Sequence, residues 1–213
     1  MVTNFRDGTT DKSIFDEVVT SNCYTLPDKF NSSDVIVDIG SHIGCFTHAC
    51  LLRGATIIYA LEANFDNYQM FIKNFEQEIK DGVVIPMFRA AWNNDDQSLN
   101  VYESENDPTN TGASGAFRIG KRIDKLPATI KLDTLINTIP EVRLVKLDCE
   151  GAEFKIMEAC FQMRKVEEFV GEYHNIPSAG RIGDLLQKFK DNGFVVSFVD
   201  NNYAVGSFKA NRV

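Results

Sequence analysis

The sequence predicts a single α/β domain: a doubly wound, mostly parallel sheet with helices on both faces and an antiparallel hairpin at the carboxyl end. Three observations predict it. Short apolar runs alternate with stretches of helical spacing along the chain, which is the pattern of a parallel sheet flanked by helices. The run Val35, Ile36, Val37, Asp38, Ile39 closes at Gly40 and leads through a helix to a second strand ending at Glu62, one crossover unit of roughly 30 residues. Two final apolar stretches flank Asp200, Asn201 and Asn202, a hairpin turn. A chain of 213 residues can bury one substantial core of this kind.

Taken in order, residues 1–33 read as an amino-terminal segment and residues 34–213 as the core. The β-branched run at 35–39 is apolar throughout apart from Asp38, as expected of a strand covered on both faces. Residues 44–53 show helical spacing, and residues 55–61 return to strand composition. A helix is expected over 65–80, with Phe65, Tyr68, Ile72 and Phe75 on one face and Asp81 and Gly82 closing it. The third strand is 83–91. Residues 93–131 read as an insertion, made of a turn at 93–97, an alternating antiparallel strand at 98–103 and a long loop rich in Asn, Thr, Gly and Ser at 105–120. Loops of that length in compact domains are often functional, so 105–120 is the candidate substrate lid. The core resumes with a strand at 142–147, a helix at 153–163, a strand at 168–173 and a helix at 182–192 stopped by Gly193. The closing strands are 194–199 and 203–209.

Composition excludes several classes of function. A net charge of −8 repels phosphate backbones, so no nucleic acid is expected as partner. The densest basic cluster, Arg118, Lys121, Arg122 and Lys125, is short and contains Asp124, as a solvated loop would. No stretch reaches the length of a membrane span and the first residues lack the order of a signal peptide, so a cytoplasmic protein without a membrane partner is expected. Five cysteines, at 23, 45, 50, 149 and 160, contain no Cys-x-x-Cys pair, which argues against a disulfide framework and a zinc ribbon.

The glycine turn narrows the ligand. A dinucleotide site requires bare positions first, third and sixth in the turn so that the backbone can approach a pyrophosphate. Counting from Gly40, those positions hold His42 and Cys45, an imidazole and a thiol. The turn therefore suits an adenosine ligand without a pyrophosphate, S-adenosyl-L-methionine, with Glu62 placed to hold the ribose diol. Ligands of such sheets bind outside the carboxyl ends of the strands, where the winding reverses. Asp38, Gly40, Glu62, Ala91, Asp148 and His174 all stand at or just past strand ends.

The blocks Val35 to Gly44, Ala60 to Asn64, Lys146 to Glu153, and Glu172, Tyr173, His174 resemble those of the FkbM family of S-adenosylmethionine-dependent methyltransferases, in that order and at similar spacing, over roughly residues 30–175. The resemblance implies a seven-stranded class I methyltransferase fold, Rossmann-like in its winding, and O-methylation of a hydroxyl on a sugar or secondary metabolite, so that the partner is a small-molecule or glycan acceptor. Asp148, Glu150, Gly151 and Glu153 match its most specific block. His42 stands where that family more often has Asn.

These readings assign a cofactor set of Asp38, Gly40, Ser41, His42, Gly44, Glu62, Ala63, Ala91, Trp92 and Asp148. Asp38 would order the turn or face the methionine amino group. Ala90, Ala91 and Trp92 end the third strand where adenine would lie, although Trp92 is equally suited to packing. Proton removal has two candidates: His174, whose reference pKa near 6.5 suits a general base, or a divalent cation such as magnesium held by Asp148 and Glu150. For Glu150 and Glu153 the alternative is a carboxylate at a helix amino terminus. Tyr24 could cover the methionine end, with core packing its ordinary use, and His48 is expected to face its neighbours or solvent. Two other classes compete. A nicotinamide-dependent oxidoreductase would use the same sheet but needs the bare glycine positions, and a methyltransferase-like module could bind without turnover. A nitrogen acceptor is the nearest rival to oxygen, and the Asn-Pro-Pro-Tyr type of signature is absent.

Overall fold

The computed structural model describes residues 2–200 and 205–213. Eight strands form one sheet in the order β4-β3-β2-β1-β5-β6-β8-β7. They are β1 Val35–Ile39, β2 Ile57–Glu62, β3 Val84–Trp92, β4 Ala128–Lys131, β5 Val142–Leu147, β6 Val166–His174, β7 Phe194–Asp200 and β8 Val205–Arg212. From β4 to β6 every neighbouring pair is parallel, while β8 runs antiparallel to both β6 and β7. The predicted doubly wound sheet and carboxyl-terminal hairpin are therefore present, with β4 as an eighth strand on the far edge. The expected turn residues Asn201 and Asn202 lie outside the described residues.

Helices cover both faces. They are α1 Asp11–Phe15, continued by one π-helical turn Asp16–Thr20, α2 Cys45–Leu52, α3 Phe65–Asn74, α4 Glu76–Lys80, α5 Leu132–Asn137, α6 Glu153–Glu158 and α7 Ile182–Asp191. One apolar core is built from β-strand residues such as Val145 and Phe169 against α5, α6 and α7. The other packs Ile36, Leu144 and Val170 against α2, α3 and the amino-terminal residues Val2, Val18, Tyr24, Leu26 and Phe30. The amino-terminal segment is thus part of the second core.

Local chemistry explains where elements start and stop. The Asn64 side chain accepts from the backbone N–H groups of Asp66 and Asn67 and so caps α3. The helix predicted over 65–80 breaks at Phe75, whose backbone leaves the helical region. The Phe75 ring is fully buried beneath Gly44, and a Cβ at Gly44 would lie 2.1 Å from it. That burial outweighs continuing the helix, so Gly44 is a packing glycine. The helix expected over 153–163 ends at Glu158, and the strand expected at 98–103 is reduced to isolated bridges of Ser98 with Ala128 and of Tyr102 with Gly115 and Arg122. Its polar alternation has no long neighbouring strand to pair with. No helix among the described residues is long and apolar enough to cross a membrane.

The winding reverses between β1 and β5, which lie side by side at the centre of the sheet. Their register pairs Asp38 with Lys146. The chain leaves both strands on the same edge, and this is where the site lies.

Candidate functional site

Gly40 follows β1 in the left-handed region, φ +77°, and a Cβ there would lie 1.9 Å from the Asp148 carbonyl oxygen. Only glycine lets the two strand ends approach so closely. The next residues are stitched to the end of β2. The N–H groups of Gly40 and Ser41 donate to the Leu61 carbonyl, and that of His42 donates to Glu62 Oε2 at 2.7 Å. Glu62 Oε1 accepts from Asn64 N–H at 2.8 Å, and burial pushes the carboxyl above its usual range against the pull of these donors. His42, at φ +52°, and Glu150, at φ +56°, hold conformations that side chains rarely adopt. Both strained residues border the same cavity.

Beneath the turn lies a buried charge cluster. Asp38 is fully buried and accepts from Thr47 Oγ1 at 2.8 Å, with Lys146 Nζ 3.4 Å from its other oxygen. Lys146 also donates to the Gly40 carbonyl at 2.6 Å and stands 3.7 Å from Asp148. Burial would lower the Lys146 ammonium, but Asp38 and Asp148 hold it well above its ordinary value. Burial likewise opposes the charged form of Asp148, yet Lys146, His174 and the Tyr24 hydroxyl, donating at 2.8 Å, bring its carboxyl below the usual value. Asp38 thus reaches the turn through Lys146, which donates to the Gly40 carbonyl.

Above the turn is a cavity of about 360 Å³. The predicted residues Gly40, Ser41, His42, Glu62, Ala63, Ala91, Asp148 and Glu150 line it, as do Tyr24, Ala90, Lys146 and Glu172. Asp38, Gly44, Trp92 and His174 are not in its wall. Trp92 packs on Phe117 of the 105–120 loop, with ring centroids 5.6 Å apart, so its surroundings are those of a packing residue. His174 is buried behind the wall, its Nδ1 3.2 Å from Glu153 and its Nε2 3.4 Å from Glu150. Burial would lower the imidazole's pKa, but Glu153 and the other carboxylates raise it above its ordinary value.

The expected cation site is Asp148 with Glu150. The ligand-type side chains that converge within 4.8 Å are Asp148, Glu153 and His174, without Glu150. Glu150 is ion-paired with Arg118 of the loop, and Glu153 Oε1 accepts from Cys149 N–H as well as facing His174. The same groups take part in an ion-pair network with Lys146 and Arg118.

The loop does cover the cavity, through Asn110, Gly112, Ser114, Gly115 and Ala116. It is latched to the amino-terminal segment. Arg6 grips Asp11 with Nε and Nη2 at 2.9 and 2.8 Å, Thr111 Oγ1 donates to Asp11 at 2.7 Å, and His42 Nε2 lies 2.9 Å from Thr111 and 3.0 Å from Arg6. Asp11 is fully buried, and although desolvation works against the charge, Arg6 and Thr111 hold its carboxyl down at about 2. Burial lowers His42 to about 4, so it is neutral at pH 7. Ser41 Oγ and His42 Nδ1 are buried with no hydrogen-bond partner among the described residues. His48, on α2, is buried and its Nδ1 accepts from Val2 N–H.

Sequence reasoning did not single out Lys146, Glu172, Arg6 or Asp11. A lysine within the apolar run of β5 was a usable signal; the latch residues carry none, since their partners are remote in sequence.

Comparison with known proteins places these features. The family model described as the methyltransferase FkbM domain matches residues 38–196. The hexuronic acid methyltransferase AglP of Haloferax volcanii is 26% identical over 148 residues, 68% of this chain and 57% of AglP, so the chain spans just over half the length of that relative. Among solved structures, the precorrin-6y C5,15-methyltransferase of Geobacter metallireducens GS-15 superposes with a TM-score of 0.54 at 12% identity, covering 99% of this chain and 94% of that one. The M. capricolum TrmK structure, in complex with S-adenosyl-homocysteine, gives 0.51 at 13% identity over 93% of this chain and 67% of that one. These two likenesses establish the class I methyltransferase fold.

Two outcomes follow from the buried charges. Lys146→Met leaves Asp38 buried without a counter-charge and is expected to cost roughly 3–5 kcal/mol in urea denaturation, much of it recovered in the Asp38→Asn, Lys146→Met double variant. Asp11 titrates lower in the folded chain than its unfolded reference of about 3.9. Its contribution to stability is therefore complete above pH ~4 and is lost as the pH falls toward 2. Asp11→Asn should remove that portion of the acid dependence, read from denaturation midpoints across the window.

Proposed function

Because the chain belongs to the FkbM methyltransferase family, we propose that it transfers the methyl group of S-adenosyl-L-methionine to a hydroxyl of a sugar or a related polyhydroxylated metabolite. The observation that carries this reading is Glu62. Its two oxygens each accept one backbone N–H, which fixes the carboxylate at the cavity wall and leaves a second lone pair on each oxygen for two ribose hydroxyls. The cavity volume is of the size that small-molecule ligands fill. Ala63, Ala90 and Ala91 leave space for an adenine, and the turn at Ser41 and His42 offers its unpartnered polar groups to the methionine end.

When bound, the cofactor supplies an electrophilic methyl carbon on a sulfonium and a neutral thioether leaving group. The protein's part is to align the acceptor oxygen, exclude water and receive one proton. The loop carrying Asn110 to Ala116 and the segment carrying Thr10 to Tyr24 close over the strand ends and provide that enclosure. Neutral His42 adds no positive charge beside a cationic cofactor.

The wall also selects the acceptor. It carries five carboxylates, Glu17, Glu62, Asp148, Glu150 and Glu172, against two cations, Arg89 and Lys146. Arg89 is paired with Asp96, Lys146 with Asp38 and Asp148, and Glu150 with Arg118, so Glu17, Glu62 and Glu172 are the wall carboxylates that, among the described residues, have no ion pair. Such a surface attracts a sulfonium and repels an anion. AglP is named for a hexuronic acid, whereas this wall favours a hydroxyl on a neutral sugar.

Isothermal titration with S-adenosyl-homocysteine tests the cofactor site. Glu62→Ala is expected to weaken binding at least tenfold, about 1.4 kcal/mol or more, and unchanged affinity in a variant with native thermal unfolding overturns the reading. With S-adenosyl-L-methionine supplied, methyl α-glucopyranoside should be methylated faster than its uronate counterpart, measured by mass spectrometry of the products; a preference for the uronate refutes the neutral acceptor.

A further inference from the structure

The sheet order β2-β1-β5-β6 sets Glu172, near the end of β6, three strands away from Glu62. At about 4.8 Å between neighbouring strands, the two carboxylates on the cavity wall stand on the order of 14 Å apart. An adenosyl group held at Glu62 thus leaves the opposite end of the cavity, bounded by Glu17, Cys23, Tyr24 and Glu172, for the acceptor. Glu172 differs from the other wall carboxylates. Glu62 is engaged by backbone donors, Asp148 by Tyr24 and Lys146, and Glu150 by Arg118. Glu17 is exposed at the rim. Glu172 is half-buried and, among the described residues, makes no side-chain hydrogen bond or ion pair.

We propose that Glu172 is the group that takes the proton from the acceptor hydroxyl. This assignment rests on the methyl-transfer reading above. In the step it describes, the acceptor oxygen forms its bond to the methyl carbon, the carbon–sulfur bond breaks with its electron pair going to sulfur, and the hydroxyl proton passes to a Glu172 oxygen. The protonated carboxyl returns that proton to water when products leave.

The surroundings suit the task. Burial and the negative charge of Asp148 push the Glu172 carboxyl up to about 7, with Glu17 acting in the same direction and His174 and Lys146 opposing. Cys23 and Tyr24 complete the facing groups from the amino-terminal segment, and Ser207 pairs with Glu172 across β8. A base whose pKa lies near the working pH combines a useful ionised fraction with real proton affinity. His174, two residues on, is committed to Glu150 and Glu153 and helps set the field at Glu172.

The experiment compares wild type, Glu172→Gln and Glu172→Asp with S-adenosyl-L-methionine against a panel of methyl glycosides of neutral hexoses and of hexuronates. It measures kcat, KM and pH profile alongside S-adenosyl-homocysteine affinity. The expected result is a fall in kcat of at least about 100-fold in Glu172→Gln, S-adenosyl-homocysteine affinity within about twofold of wild type, and partial recovery in Glu172→Asp. Wild-type kcat should rise with pH on a limb near neutrality that Glu172→Gln lacks. Retained kcat in Glu172→Gln, or a loss that appears equally in cofactor affinity, overturns the assignment. If wild type binds S-adenosyl-homocysteine yet methylates no member of the panel, the sugar reading falls and the assignment with it, whereas failure to bind overturns the cofactor reading itself.

Discussion

The cross-strand pair of Asp38 and Lys146 is the constraint on which the site depends. It lies where the sheet's winding reverses, with both side chains removed from water. Two charges in such a place are costly unless each satisfies the other and its remaining hydrogen bonds. Thr47 donates to one oxygen of Asp38 while the other faces Lys146 at 3.4 Å, and the Gly40 carbonyl and Asp148 are the further partners of Lys146. The same contacts tie the end of β1 to the end of β5 and bring Asp148 beside the glycine turn. A single buried ammonium thus fixes the turn, the Tyr24 hydroxyl and the acidic block after β5 in one arrangement.

The sequence disclosed most of the framework because its signals were local. The β-branched run at 35–39, the turn at Gly40 and the carboxylate at Glu62 are each readable within a few residues, and the structure brings all three to the cavity edge. What escaped reading depended on partners distant in the chain. The break at Phe75 comes from its packing under Gly44, thirty-one positions earlier. Strand β4 is four residues long and exists through pairing with Arg89 to Trp92, so its own pattern is too short to see. Trp92 and His174 were placed correctly along their strands, but strand position alone does not say which way a side chain faces. Asp11 lacks any motif; its burial follows from Arg6, His42 and Thr111 meeting it in space.

Charge is distributed with a purpose that composition alone does not reveal. A net charge of −8 describes the whole molecule, but carboxylates also crowd the one concave surface at the strand ends. Each is handled differently: Glu62 by backbone donors, Asp148 and Glu150 by internal cations, and Glu172 by desolvation. Carboxylates lining one cavity thereby acquire distinct protonation behaviour, which is how a protein divides labour among residues of one type.

The latch joining Arg6, Asp11, His42 and Thr111 links three remote pieces of chain across the mouth of the cavity. Because these bonds share atoms, losing one strips partners from the rest, so the amino-terminal segment, the glycine turn and the 105–120 loop are held together as one unit beside the cavity.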